Sequence, residues 1–220
     1  MKNVEILYED DKIIVINKPA GLAVQGGKGV KTSLDILLAQ KFRGEGKEAP
    51  LLVHRLDKDT SGVLLAAKGS ENAARFSRFI NEKKAVKQYI AVCAGSPEKS
   101  EGVITEDLLI RGISKKSETK YKVIKNGELT ACNLDFSVLE IELGTGRMHQ
   151  IRRHLAMIGN PILGDEKYGD FALNKKLRKE AGLKRLLLHA SRIILKNGYN
   201  LNINTNLPDY FDLYIQKNSK

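Results

Sequence analysis

The sequence predicts an α+β fold: one domain over residues 1–220, with a mixed, largely antiparallel β-sheet flanked by helices. Three observations lead there. Short apolar or alternating runs are joined by short polar turns, which favours antiparallel pairing. Segments with apolar residues at helical spacing are interspersed among those runs. No linker, low-complexity stretch or internal repeat interrupts a chain of 220 residues with 42% apolar content, enough for one sizeable core.

The elements follow in order. Val4–Tyr8 and Lys12–Asn17 read as strands around the polar turn Glu9-Asp10-Asp11. Lys18-Pro19-Ala20-Gly21 breaks the pattern, and Gly26-Gly27-Lys28-Gly29 fits no phosphate-loop spacing, so it reads as a flexible loop. Ser33 is placed to cap a helix carrying Leu34, Leu37, Leu38 and Phe42, which the Gly-rich loop 43–50 ends. Leu51–Val53 and Val63–Ala67 have the length of buried strands. A second helix starts at Ser70, turns Ala73, Phe76, Phe79 and Ile80 to a core, and closes near Lys83-Lys84, where cations suit the dipole. Gln88–Ala94, Val103–Ile110 and Thr119–Lys125 read as strands, with Arg111–Glu118 a basic loop. Thr130–Leu143 alternates over one or two strands. His149–Ile158 reads as a helix stopped by Gly159-Asn160-Pro161, and Leu173–Leu183 as another. Arg185–Leu195 and Leu201–Ile203 are strand-like, and Pro208 opens a last short helix.

Net charge is +11, and it is uneven. Residues 1–50 hold eight Lys/Arg and seven Asp/Glu, so residues 51–220 hold 29 and 19, a balance of +10. A basic surplus of that kind suits a polyanionic partner, because each cation near a phosphate releases a counterion. Lys115, Lys116, Lys175, Lys176 and Arg178 lie in exposed-looking segments with little compensating acid. Cys93 and Cys132 sit in apolar runs and read as buried small hydrophobes, not as a disulfide framework or metal knuckle. No signal-like or membrane-spanning stretch is visible, so the cytoplasm is the expected compartment.

Chemistry concentrates in the loop His54-Arg55-Leu56-Asp57-Lys58-Asp59-Thr60-Ser61-Gly62. A turn alone would need fewer and plainer residues, and loops held by rigid strands are where reactive groups sit. Asp57 taken alone reads first as an Asx-turn residue with solvated neighbours. A second stretch, Gly144-Thr145-Gly146-Arg147-Met148-His149-Gln150-Ile151-Arg152, offers a guanidinium whose planar fork suits a carboxylate or a phosphate. Tyr89 in its strand is readable as a core aromatic. Zinc chemistry finds no support in His54, His149, His154 and His189, and no G-x-S-x-G elbow is present. Asp57 and Asp59, close on one loop, make a poor glycosidase pair.

Together these stretches resemble the RluA-type pseudouridine synthase family, whose signature H-R-L-D-x-x-T-S-G is complete at 54–62. Further matches are Asn17-Lys18-Pro19-Ala20-Gly21, Lys87-x-Tyr89, Thr145-Gly146-Arg147-x-His149-Gln150-Ile151-Arg152, Pro161-Ile162-x-Gly164-Asp165, Leu188-His189-Ala190 and Leu207-Pro208-x-x-Phe211. The resemblance implies the pseudouridine synthase fold and isomerisation of uridine to pseudouridine in structured RNA, rRNA or tRNA, without cofactor or metal. It implies that Asp57 is the catalytic carboxylate, that Tyr89 packs against the target base and can serve in proton transfer, and that Arg147 pairs with the aspartate. RNA or substrate contacts are expected at His54, Arg55, Thr60, Lys87, His149, Gln150, Arg152, Leu188, Lys115 and Lys116. A monomer is expected, in a form without the N-terminal RNA-binding domain of many relatives. Met148 departs from the usual Thr or Ser, and Gln25-Gly26 from a common His-Pro. Two other classes compete: an RNA-binding or folding module without catalysis, which intact Asp57, Tyr89 and Arg147 disfavour, and a nucleoside or glycoside hydrolase, which the basic excess and the missing second acid disfavour.

Overall fold

The computed structural model describes residues 4–27, 29–82, 84–196 and 199–215. Lys28 of the glycine-rich loop and Lys83 of the second helix's basic end lie outside the described residues. The chain forms two compact units, Met1–Lys87 with Ala190–Asn206, and Gln88–His189 with Leu207–Lys220.

In the first unit, β1 (Glu5–Glu9) pairs antiparallel with β2 (Ile13–Lys18), and β2 with the strand that follows the signature loop. Asp10 closes the first turn, its carboxylate accepting from the Lys12 and Ile13 amides at 2.8 and 2.7 Å. Helix α1 (Leu34–Gly44) buries Leu34, Leu38 and Phe42, the i, i+4, i+8 stripe its spacing predicts. Ser33 holds the N-cap position, but its hydroxyl bonds the Asp35 carboxylate instead of a backbone amide. Short β3 (Leu51–Leu52) lies beside β4 (Ser61–Ala67), which is buried at all seven positions and begins two residues before the expected Val63. Helix α2 (Ser70–Asn81) sets Phe76 into a core of Ile13, Val15, Leu65, Ile193 and Leu195. Burying such a ring stabilises by about 2–3 kcal/mol.

The chain leaves the first unit within β5 (Ala85–Ala94). The second unit orders its strands β5-β10-β9-β6, with β6 Glu101–Ile104, β9 Thr119–Leu129 and β10 Leu134–Leu143, all antiparallel. The expected single strand Val103–Ile110 is split. β7 (Leu108–Ile110) and β8 (Ile113–Lys115) form a separate two-stranded hairpin, so the expected basic loop is part of a ribbon. Ahead of β10 the chain makes a 3-10 turn, Thr130–Cys132, ended by Asn133 in the left-handed region. Helix α3 (Gln150–Met157) starts one residue later than expected, because His149 is left-handed at φ 53°. Helix α4 (Phe171–Glu180) starts earlier, because the Asp170 carboxylate caps the Leu173 amide at 2.9 Å. β11 (Leu188–Leu195) returns the chain to the first unit, where its inner end lies next to β4 and β12 (Leu201–Asn204) pairs with it. A 3-10 turn, Asp209–Phe211, leads into the short α5 (Asp212–Ile215). Cys93 and Cys132 are buried and free. The fold is thus α+β on largely antiparallel sheet, as expected.

Candidate active site

The signature loop links β3 to β4 in the first unit. Leu56, 4% exposed, pins it to the core, and Thr60, 2% exposed, closes a turn by donating its amide to the Asp57 carbonyl at 3.2 Å. Between them Asp57 is half-buried, while Arg55, Lys58 and Asp59 are exposed. At the far end Gly62 holds φ 110°, and a Cβ there would stand 2.1 Å from the Ala190 carbonyl oxygen. Only glycine fits that backbone approach.

Beneath the loop lies a group whose role the sequence did not disclose. Lys18 is fully buried, and its ammonium donates to the carbonyls of Pro19 (3.0 Å), Leu22 (2.8 Å) and Lys58 (3.0 Å). Gly21 donates its amide to the same Lys58 carbonyl at 2.9 Å. Lys58 separates the two loop carboxylates, so Lys18 fixes the backbone from which Asp57 projects. Burial pushes the Lys18 pKa down to about 7, against the pull of the Asp59 and Asp57 carboxylates. Three donors meeting three carbonyls match the charged form. The matching stretch Asn17-Lys18-Pro19 was the only sequence signal, since a lysine at a strand end ordinarily reads as solvated.

His54 is placed by β4. The Leu65 amide donates to His54 Nε2 at 2.9 Å, so the imidazole is neutral with its proton on Nδ1. Burial, and then the nearby Lys87 charge, lower its pKa to about 3. Lys87 is half-buried, and burial lowers its pKa as well. His54 and Lys87 are thus neighbours within this unit, and His54 serves as a fixed acceptor.

In the second unit, Gln150 organises the other motif. Its Oε1 accepts from the Thr145 hydroxyl (2.6 Å) and the Arg147 amide (3.0 Å), and its Nε2 donates to the Glu118 carbonyl (2.8 Å) and Thr119 Oγ1 (2.9 Å). It is 2% exposed, and these four bonds shape the turn. Arg147 is exposed, and its Nε donates to the Lys116 carbonyl at 3.2 Å. Met148 is 50% exposed beside it.

Arg152 lies on α3, two residues beyond Gln150. It is buried and forms a two-point pair with Asp165, Nε to Oδ2 and Nη2 to Oδ1, both 2.8 Å. Asp165 also accepts from the Lys167 and Tyr168 amides. Desolvation of Asp165 is outweighed by these bonds and the guanidinium, leaving its pKa below the usual carboxylate range. Arg152 therefore braces the turn after α3, with Tyr168 under its guanidinium at 5.2 Å. His149 is half-buried, with Nδ1 3.0 Å from the Tyr168 hydroxyl.

Tyr89 lies on β5 opposite Ile141 of β10 and is 5% exposed, and Leu188 is 3% exposed. Lys115 and Lys116 are exposed on and after β8. The α4 cations differ from expectation: Arg178 pairs with Glu166, and Lys176 donates to the Cys132 carbonyl at 2.7 Å, whereas Lys175 is simply exposed. Sequence reasoning also missed His154. This fully buried residue has Nε2 3.0 Å from the Glu106 carbonyl and 2.9 Å from Ser117 Oγ, and Nδ1 2.9 Å from Thr119 Oγ1. A carbonyl only accepts, so Nε2 carries a proton. Burial lowers its pKa accordingly.

Among the described residues no group of three or more His, Cys, Asp or Glu side chains is arranged to hold a metal ion, and no helix is long and apolar enough to cross a membrane.

The chain as a whole has counterparts among known proteins. A family model described as RNA pseudouridylate synthase matches residues 12–157. The chain is 40% identical over 222 residues to "Ribosomal large subunit pseudouridine synthase C" of Rickettsia bellii, covering 94% of this chain and 69% of that one. The Haemophilus influenzae protein of the same name is 35% identical over 228 residues, covering 97% and 68%. Among solved structures, human RNA pseudouridylate synthase domain containing 4 superposes with a TM-score of 0.78 at 30% identity, covering 94% of this chain and 90% of that one. The chain belongs to the RNA pseudouridylate synthase family, and is an enzyme of the isomerase class to which pseudouridine synthases belong.

Proposed function

We propose that this protein isomerises uridines of large-subunit ribosomal RNA to pseudouridine, with Asp57 as the catalytic carboxylate. The observation that carries the reading is the likeness over nearly the whole chain to relatives named for that RNA, together with a signature complete at every fixed position. Residues 1–220 act as one catalytic domain in this reading.

The reaction breaks the bond from N1 of uracil to C1′ of ribose, turns the uracil, and joins C5 to C1′; the C5 hydrogen leaves and N1 gains one. A carboxylate serves this chemistry as nucleophile, as stabiliser of positive character on the sugar, or as base toward a ribose proton. Tyr89 and Arg147 are assigned to the chemical step with it, Tyr89 against the target base and Arg147 as the carboxylate's partner. The target uridine leaves its stack at a cost of about a few kcal/mol, offset by cations on the phosphates. Arg55, Lys58, Lys115, Lys116 and Lys175, all exposed, are the cations proposed for that work. RNA of the large ribosomal subunit, transcribed with tritium at C5 of uridine, tests the reading: release of tritium with pseudouridine at a defined position is expected. Release only from tRNA would move the substrate, and none from any RNA would leave a binding module without catalysis.

A further inference from the structure

The loop 164–170 is bonded more heavily than a turn of the chain requires. The Asp165 carbonyl accepts from the Gly169 amide at 3.1 Å and from Asn174 Nδ2 at 2.9 Å, and Asn174 Oδ1 accepts from the Gly164 amide at 2.9 Å. A Cβ at Gly169 would stand 2.5 Å from the same Asp165 carbonyl oxygen, so the backbone closes tightly on itself. The Asp165 carboxylate holds Arg152 and the amides of Lys167 and Tyr168. All of this fixes the backbone of Tyr168. Two cations lie near its ring, the Arg152 guanidinium 5.2 Å and the Lys167 ammonium 5.4 Å from the centroid. Its hydroxyl meets His149 Nδ1 at 3.0 Å, with the two rings edge to face.

His149 stands at the costly position of its own turn. The Gln150 amide donates to the Arg147 carbonyl at 3.1 Å, which closes a β-turn over 147–150 with Met148 and His149 at its centre. His149, third in that turn, is left-handed at φ 53° and ψ 30°. Glycine or asparagine takes such a position most readily. The contact of the imidazole with Tyr168 offsets the cost of a histidine there. Docking loop 164–170 on α3 does not need that contact, because the buried two-point pair of Arg152 with Asp165 joins them. What the contact adds is a second tether on the turn that carries Arg147. Gln150 holds the turn at the Thr145 hydroxyl and the Arg147 amide, and Tyr168 holds it at His149.

We propose that Tyr168 is a positioning residue for the isomerisation: through His149 it fixes the turn from which Arg147 projects. Asp165 and Arg152 are the base on which Tyr168 stands. The inference rests on the function proposed above and on the place given there to Arg147 in the chemical step.

The test uses the full chain and a transcript of large-subunit ribosomal RNA carrying tritium at C5 of uridine. Tyr168→Phe keeps the ring against Arg152 and removes only the hydroxyl. Its single-turnover rate at saturating RNA should fall about tenfold, the scale of one lost hydrogen bond. The dissociation constant for the RNA and the melting temperature should not change, while amide exchange quickens at Arg147 and Gln150. His149→Asn suits the left-handed backbone but gives up the ring. It should lose at least as much rate, and adding Tyr168→Phe to it should cost nothing more. A wild-type rate in Tyr168→Phe would overturn the proposal, as would a loss that appears in affinity instead of saturated rate, or losses that multiply in the double variant. Those results would leave the functional reading standing, because tritium release by the wild type is measured beside them. No release by the wild type from any RNA would remove that reading, and the proposal with it.

Discussion

Arg147 carries two readings at the level of single side chains, partner of the carboxylate or anchor of a phosphate, and substitution separates them. As a partner it predicts that Arg147→Lys fails along with Arg147→Ala in single turnovers at saturating RNA, because an ammonium cannot reproduce a two-point fork. A normal saturated rate with weaker binding would make it an anchor. Lys18 predicts the reverse pattern. It donates only to backbone carbonyls, so Lys18→Met removes its bonds to the Pro19 and Leu22 carbonyls and leaves the Lys58 carbonyl with the Gly21 amide alone, and should cost about 2 kcal/mol or more, read as a fall in melting temperature. Asp57 chemistry should persist below that temperature, and a large loss of saturated rate in folded Lys18→Met would instead give Lys18 a part in the reaction. What was legible here followed residue type. Asp57, Tyr89 and Arg147 stood out in matched motifs; Gln150 and Arg152 matched as strongly, and their bonds to the Glu118 carbonyl and to Asp165 were not foreseen. A motif marks that a side chain is needed, and only its surroundings tell whether it faces the substrate or its own backbone.

At the scale of elements, the loop between β3 and β4 depends on Gly62. With φ at 110° and backbone on the Cβ side, Gly62→Ala should destabilise by about 3 kcal/mol or more or prevent folding, measured by denaturant titration. A stable Gly62→Ala protein would show that the loop can take another path. The elements most easily read were those with clear bounds: β1 and β2 were placed within a residue because the polar turn 9–11 separates two apolar runs, and α1 and α2 within a residue or two from their apolar spacing and their starts at Ser33 and Ser70. The split of Val103–Ile110 falls at three successive polar residues, Thr105-Glu106-Asp107, an interruption that the reading as one strand passed over. There the Glu106 carbonyl turns away to Ser117 and His154, partners 11 and 48 residues along the chain.

For the whole molecule, histidines whose charged form is disfavoured contribute to the response to acid. His54 and His189 have folded pKa values of about 3 and about 4 against 6.5 for the free side chain, in both cases through burial first, and His154 is lowered too. Between pH 6.5 and those values the unfolded chain binds more protons, so stability is full above 6.5 and falls as pH drops through the window. Urea titrations from pH 7 to 4 should show that fall, less steep in His54→Gln; a flat profile would mean the imidazoles are not sequestered. The account of function as a whole stands on Asp57. Its most direct test is a single turnover by Asp57→Asn at saturating large-subunit ribosomal RNA, alongside RNA binding by the same protein. Pseudouridine formation should be abolished with binding retained, and turnover near the wild-type rate would contradict the assignment of this loop as the catalytic centre.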